Sequence, residues 1–351
     1  MTLTTLAIIG LAFSLDLLLG EPPTTLHPVA WFGRLVGAVD REWPLLDARK
    51  AGIAIATVLP LFPALVAGGA VLLALEVAPM IGAIVAAIVL FLTISLRMLL
   101  DITREVVDAT AGDLESAREA VRSLVGRDTE ALDGAEIRSA AIESAAENLA
   151  DGFVSTLLPF ALLAPISLPA AAAVVAWIKA VNTLDSMLGY PSKPIGTASA
   201  RLDDAVMYVP ARVSACCLAL ASRRPGALAH ARAWARVPAS PNSGWPMATL
   251  ASGLDVRLEK PGAYVLNPDG PQPTVEDGHR AVSIVGGAAV IAVGLAAVAA
   301  VYAPALESIL APPLHAGLEM MFGALESVFG VLEWIRDFLG RLWRRLQGVR
   351  T

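Results

Sequence analysis

Apolar positions along the chain fall in long unbroken stretches, set apart by two polar regions. Ala51 to Leu75, Met80 to Leu96 and Ala281 to Pro304 carry no charged side chain. At ~20 residues, each is long enough to cross the hydrocarbon core of a bilayer as a helix. Leu3 to Leu19 is a fourth apolar stretch, with a single charged residue. It has no basic start and no small-residue cleavage site, so it reads as a retained anchor rather than a removed signal peptide. Asp16 lies inside it, where an ionisable group is either partnered and functional or placed at the wet interface.

Between Leu100 and Ala150 the pattern turns polar and helical, dominated by Ala, Glu and Arg, which predicts a water-exposed helical insert over about 101–150. A second polar region, about 180–280, is rich in Pro, Gly, Asn and Asp and holds most of the chemistry. The predicted fold is all-α: a polytopic helical membrane protein with a membrane-embedded body over 1–306. A tail, 307–351, follows. There Leu318, Met321, Leu325, Val328, Leu332, Ile335, Leu339, Leu342 and Leu346 occupy successive heptad seam positions. Such a helix either self-associates into a homo-oligomer or lies on the lipid interface through Trp334, Trp343 and its arginines.

Basic residues set the expected topology. Lys plus Arg number 4 before Ala51, 6 from Arg97 to Arg138 and 11 from Lys179 to Arg280. By the positive-inside rule these three regions face the cytoplasm, in a multi-pass protein of the cytoplasmic membrane. A single crossing between Phe153 and Lys179 would separate the two polar regions. Pro159, Pro165 and Pro169 offer a way out, since interior prolines break a helix. Two half-helices of about twelve residues, each ~18 Å long, would form a re-entrant hairpin and bring both polar regions to one face. The alternative is one kinked span, with Ala205 to Ala221 crossing back.

Composition agrees with the pattern: 56% hydrophobic residues, 17% charged residues and a mean hydropathy of +0.64 exclude an ordinary soluble domain. A net charge of −6 and a pI near 5.3 argue against a nucleic-acid partner and leave the bilayer and small molecules. Cys216 and Cys217 are adjacent, which suits neither a disulfide nor a zinc site.

Candidate chemistry is carboxylate, amide and guanidinium. Glu143, Glu147 and Asp151 recur every four residues, so they share a helix face and repel, which calls for a compensating cation such as Mg²⁺ or a substrate ammonium; Asn148 stands beside them. A plain solvated acidic face is the alternative. Asn182, Asp185, Ser186 and Tyr190 form a second polar cluster, of which an Asx turn would explain Asn182 alone. Arg201, Asp203, Asp204 and Arg212 suit Mg²⁺-nucleotide chemistry, carboxylates on the ion and guanidinium groups on phosphate oxygens, or else a structural ion-pair network. Asn242 and Trp245 lie in a turn-rich loop with a stacking indole. No P-loop, metalloprotease His pair or Gly-x-Ser-x-Gly elbow occurs, which points to electrostatic rather than covalent catalysis.

Five ordered blocks over roughly residues 5 to 300 resemble the integral-membrane adenosylcobinamide-phosphate synthase family of cobalamin biosynthesis. They are Asp16 to Pro23 with His27-Pro28, then Glu143-Ser144 with Glu147 to Gly152. Next come Asn182 to Met187 with Gly189-Tyr190, and Ala200 to Asp204 with Pro210-Ala211-Arg212. Ser240-Pro241-Asn242 with Gly244-Trp245-Pro246 completes the series. The tail lies outside it.

The resemblance implies ATP-dependent amide ligation of adenosylcobyric acid, the corrinoid substrate, to aminopropanol or aminopropanol phosphate. It implies Glu143, Glu147, Asn148, Asp185, Arg201 and Arg212 in catalysis. Asn182, Ser186, Tyr190, Asn242 and Trp245 would then bind ATP, and Asp151, Asp203 and Asp204 would hold Mg²⁺. Met207 stands where the family usually has Asn, Thr156 replaces a proline, and the stretch from Tyr190 to Ala200 is short. A non-catalytic sensor relative and a corrinoid transporter are the rival readings; carboxylates at segment ends rather than at midplane depth weigh against the transporter.

Overall fold

The computed structural model describes residues 2–305, apart from 42, 44–46, 123, 125–128 and 191. The heptad tail expected over 307–351 lies outside the described residues. Within them the chain is almost entirely helical, with five helices long and apolar enough to cross a membrane. It is a polytopic helical membrane protein.

Four of the five coincide with the apolar stretches. Helix α1 is Thr2–Leu19. After α2 (Pro28–Val39), α3 (Ala48–Val58) runs into α4 (Leu61–Val77) as one span of 30 residues. Next, α5 (Pro79–Phe91) and α6 (Leu96–Ala109) make a span of 31 residues. Large apolar side chains such as Leu73, Val77 and Met80 are exposed on these helices, as lipid-facing residues are.

Asp16 is partnered rather than wet. Its buried carboxylate accepts the backbone N–H of Arg97 at 3.0 Å, capping the first turn of α6. In return, the Arg97 guanidinium donates to the carbonyls of Leu17 and Leu18 at 3.2 and 2.6 Å, closing the end of α1. Two helix termini are thereby satisfied by one pair of residues.

The polar insert consists of the end of α6, α7 (Leu114–Val121) and α8 (Gly134–Leu149). Asp133 and Glu136 start α8 with a reciprocal capping box. Its residues from Ile137 to Leu149 are buried on nearly every side. A π-helical turn, Ala150–Val154, links α8 to α9 (Ser155–Leu163), and α10 (Leu168–Leu188) returns.

The expected re-entrant pair of half-helices is not what forms: α9 and α10 make a hairpin in which α10 is long enough to cross the membrane by itself. The arms are unequal: α9 has 9 residues and α10 has 21, the latter being the fifth span. Pro165 lies in the break between α9 and α10, as expected, but the other two prolines act differently. Pro159 sits inside α9 without ending it, whereas Pro169 occupies the first turn of α10, where a missing N–H costs nothing. Small residues let α10 close on α4, where a Cβ on Gly68 would lie 3.0 Å from the Cβ of Ala173.

Helices α11 (Thr197–Val206) and α12 (Tyr208–Ala221) are bent by 49° at Met207. Pro210 has no N–H to give the Val206 carbonyl, so the ladder is interrupted there. After α13 (Ala227–Ala231) and α14 (Gly244–Leu254) comes a short antiparallel pair, β1 (Leu258–Lys260) and β2 (Tyr264–Leu266), which the sequence reading did not foresee. Helix α15 (Val275–Ala305) completes the described chain.

Candidate active site

Carboxylates from distant parts of the sequence meet in one cavity of about 670 Å³, lined in part by Glu143, Glu147, Asn148, Asp151, Asn182, Asp185, Ser186 and Tyr190. The insert supplies the first three through the last turns of α8, and the end of α10 with the residues just after it supplies the last four. Because α9 and α10 turn back on each other, both polar regions reach the same opening. The π-helical turn shifts the register after Leu149, yet Asp151 still lines the cavity.

Each group has an identifiable support. Glu143 is buried, with its two oxygens taken by the hydroxyls of Tyr264 at 2.9 Å and Ser139 at 3.0 Å. Asn148 donates to the carbonyl and hydroxyl of Ser144, at 3.0 and 3.1 Å. Ser186 donates to the Asn182 carbonyl. Gly189 follows α10, and a Cβ there would lie 1.9 Å from Asp185 Oδ1. Only glycine leaves that carboxylate its position.

Asp203 on α11 joins the group from outside the cavity lining. It accepts a hydrogen bond from the Asn182 side chain and interacts electrostatically with Asp185 and Glu147. Asp151 feels Asp203 in turn. The Glu147 carboxyl is pushed up to about 7, first by burial and then by the Glu143 charge, against the opposing pull of Lys260. At neutral pH it is therefore divided between its two protonation states.

Other predicted residues lie outside the cavity lining, although Asp204 still interacts electrostatically with Asp185 and Asp203. Asp204 accepts from Ser240 at 3.1 Å. Arg212 donates to Asn242 Oδ1, to the Tyr208 carbonyl at 2.9 Å and to the Pro241 carbonyl at 3.1 Å. Its guanidinium lies 3.8 Å from the centre of the Tyr208 ring and 5.4 Å from that of Trp245. Arg212, Asn242, Trp245 and Asp204 thus form a clasp that holds the 240–245 loop on α11 and α12. Arg201 is exposed on α11.

A third polar group adjoins the cavity. His27 caps α2, its Nδ1 accepting the Val29 N–H at 3.1 Å, so its Nε2 side faces Glu21 at 3.7 Å. Glu21 also bonds Ser95, a cavity-lining residue, and burial raises its carboxyl above the ordinary range. Burial lowers His27, and Lys179 adds to the effect. Lys179, one turn before Asn182 on α10, interacts electrostatically with both Glu21 and Asp151.

Ser95, Lys260 and Tyr264 also line the cavity and were missed by the sequence reading. A signal existed for two of them. Pro261-Gly262 between Leu258-Glu259-Lys260 and Tyr264-Val265-Leu266 is the pattern of a tight hairpin.

Among the described residues no three His, Cys, Asp or Glu side chains are grouped so as to hold a metal ion by themselves. Magnesium does not require such a cage, since it commonly takes one or two carboxylates and completes its shell with water and phosphate. The donor set here is of that kind. All its members are hard oxygens, and Asp203 Oδ1 is buried without a hydrogen-bond partner. The residues fit the ion.

Comparison with known proteins gives a consistent result. The family described as CobD/Cbib protein matches residues 9–293. The chain is 36% identical over 297 residues to the probable cobalamin biosynthesis protein CobD of Methanothrix thermoacetophila, covering 80% of this chain and 92% of the relative. It is 38% identical to the protein of that name from Thermococcus kodakarensis, covering 78% and 88%. It is 36% identical to cobalamin biosynthesis protein CobD of Rhodobacter capsulatus, covering 79% and 92%. No solved structure matches the chain.

Proposed function

The chain belongs to the CobD/Cbib family of cobalamin biosynthesis, and from that premise we propose that its cavity is the active site of an ATP-dependent amide ligase joining adenosylcobyric acid to aminopropanol or its phosphate. The observation that carries the reading is the convergence of Glu147, Asp151, Asp185 and Asp203 from three separate helical segments. Acids held together against their mutual repulsion suit a site built for a cation and phosphate oxygens. The cavity faces the cytoplasm, where the basic residues concentrate and where ATP is found.

A carboxylate is a poor acyl donor, so the reaction needs a leaving group. Transfer of the terminal phosphoryl group of ATP to a corrinoid carboxylate oxygen forms an acyl phosphate and releases ADP. The amine nitrogen then bonds to the acyl carbon, the carbon–oxygen bond to phosphate breaks, and the nitrogen loses its proton. Mg²⁺, held by one or two of the carboxylates Asp151, Asp185 and Asp203 and otherwise by water and phosphate, would neutralise charge on the phosphates. Glu143, oriented by Tyr264 and Ser139, faces the incoming amine. Glu147, divided between its protonation states near neutrality, is suited to accept the released proton. Asn182 and Ser186 orient the polyphosphate, and Tyr190 borders the opening.

The test is direct. Purified protein in detergent, given cobyric acid, ATP, Mg²⁺ and aminopropanol phosphate, yields a condensed product one water lighter than its parts by mass spectrometry. Unchanged corrinoid in all conditions would remove the ligase reading and favour a sensor.

A further inference from the structure

Four carboxylates line the cavity, yet one cation at its mouth is held in no ion pair among the described residues and reaches Glu147 only electrostatically. Of the two basic residues that line it, Arg122 is fully engaged, donating to Thr129 at 3.2 Å and Glu119 at 2.8 Å and pairing with Glu130 at 3.5 Å. Lys260 makes no ion pair among the described residues and is exposed at the opening. Its chain neighbour Glu259 is not available to it, because Arg257 holds that carboxylate at 2.5 Å.

The backbone fixes where this ammonium stands. Ala263 donates to the Lys260 carbonyl at 2.9 Å, and Gly262 has φ +73°, so Pro261-Gly262 makes a type II turn. Register then pairs Lys260 with Tyr264, and cross-strand partners share a face. Tyr264 is anchored to Glu143 inside the cavity, and Leu258 and Leu266 are buried at the other end of the pair. The hairpin thus presents a cation across the opening from the acidic floor.

We propose that Lys260 is the anion anchor of the cavity, binding a phosphate or carboxylate group of a substrate whose reacting end lies among the carboxylates below. This rests on the cavity being the substrate site. It adds a residue that reads one end of a substrate, in contrast to those that act on the reacting atoms. Three sources can supply the anion: the phosphate of an aminopropanol phosphate, the polyphosphate of ATP, and a carboxylate of the corrinoid.

Equilibrium binding separates them without any turnover. Each of the three compounds, and unphosphorylated aminopropanol as the uncharged-end control, is titrated calorimetrically into wild type, K260Q and K260R in neutral detergent without Mg²⁺. The expected result is a loss of about tenfold or more for one anionic compound in K260Q, largely restored in K260R, with a steep salt dependence in wild type. The compound that loses affinity identifies the source. Equal affinity of wild type and K260Q for all three, or the same loss for unphosphorylated aminopropanol, overturns the proposal. Absence of ligation by wild type would count against the ligase reading only, because binding is measured independently.

Discussion

Replacing Glu147 by Gln should raise stability at alkaline pH and leave it unchanged at acid pH. Glutamine copies the neutral carboxyl in shape and removes the charge that burial and Glu143 disfavour. The carboxyl moves from an ordinary value of 4.5 to about 7 on folding. The folded protein therefore holds this proton more tightly than the unfolded chain, and the stability it contributes is complete below pH ~4.5 and lost as pH rises through about 7. At about 1.4 kcal/mol per unit, the full shift corresponds to roughly 3 kcal/mol, and contact with water in the cavity reduces this to on the order of 1–2 kcal/mol. The assay is the thermal midpoint of wild type and E147Q in detergent without Mg²⁺, at pH 5 and pH 8. The variant should exceed wild type only slightly at pH 5 and by several degrees at pH 8, and the gap should narrow in an E143Q background. An equal offset at both pH values, or a loss at pH 8, would refute the electrostatic account of the site.

Three further substitutions probe other parts of the structure. Gly189→Ala places a methyl group where Asp185 Oδ1 now lies, so amide formation should fall at least about tenfold while expression and membrane insertion persist, measured by product mass and membrane fractionation. Asp16→Ala removes the cap on α6 and strands the Arg97 N–H, lowering stability by about 1–2 kcal/mol in a thermal scan. Arg212→Ala opens the clasp to Asn242 and Pro241; limited proteolysis near residues 240–245 should accelerate, and a rate loss without that change would return Arg212 to the phosphate site.

Much of the fold was legible because a bilayer imposes a strong rule: uncharged stretches of spanning length become helices, and α1, α3–α4, α5–α6 and α15 lie where those stretches fall. The fifth span was harder. Lys179, Asn182 and Asp185 lower the apolarity of α10, and its prolines read as breaks although Pro169 only begins the helix. At the site, the four-residue spacing of Glu143, Glu147 and Asp151 pointed to one face, and the cavity does collect them. The vicinal pair Asp203-Asp204 read as one unit, but adjacent helical residues point about 100° apart. Asp203 consequently turns toward Asn182 and Asp204 toward Ser240. Lys260 and Tyr264 escaped notice because strands of three residues carry almost no periodic signal.

The central claim is that α8 and the end of α10 open into one aqueous cavity on one side of the membrane. Single cysteines at Asn148 and Ser186, in a background with Cys216 and Cys217 replaced, can be labelled with an impermeant maleimide from either side of sealed, oriented vesicles. Both positions should react from the same side, and ATP with cobyric acid should slow both reactions together. Labelling of the two positions from opposite sides would contradict the shared cavity and the chemistry built on it.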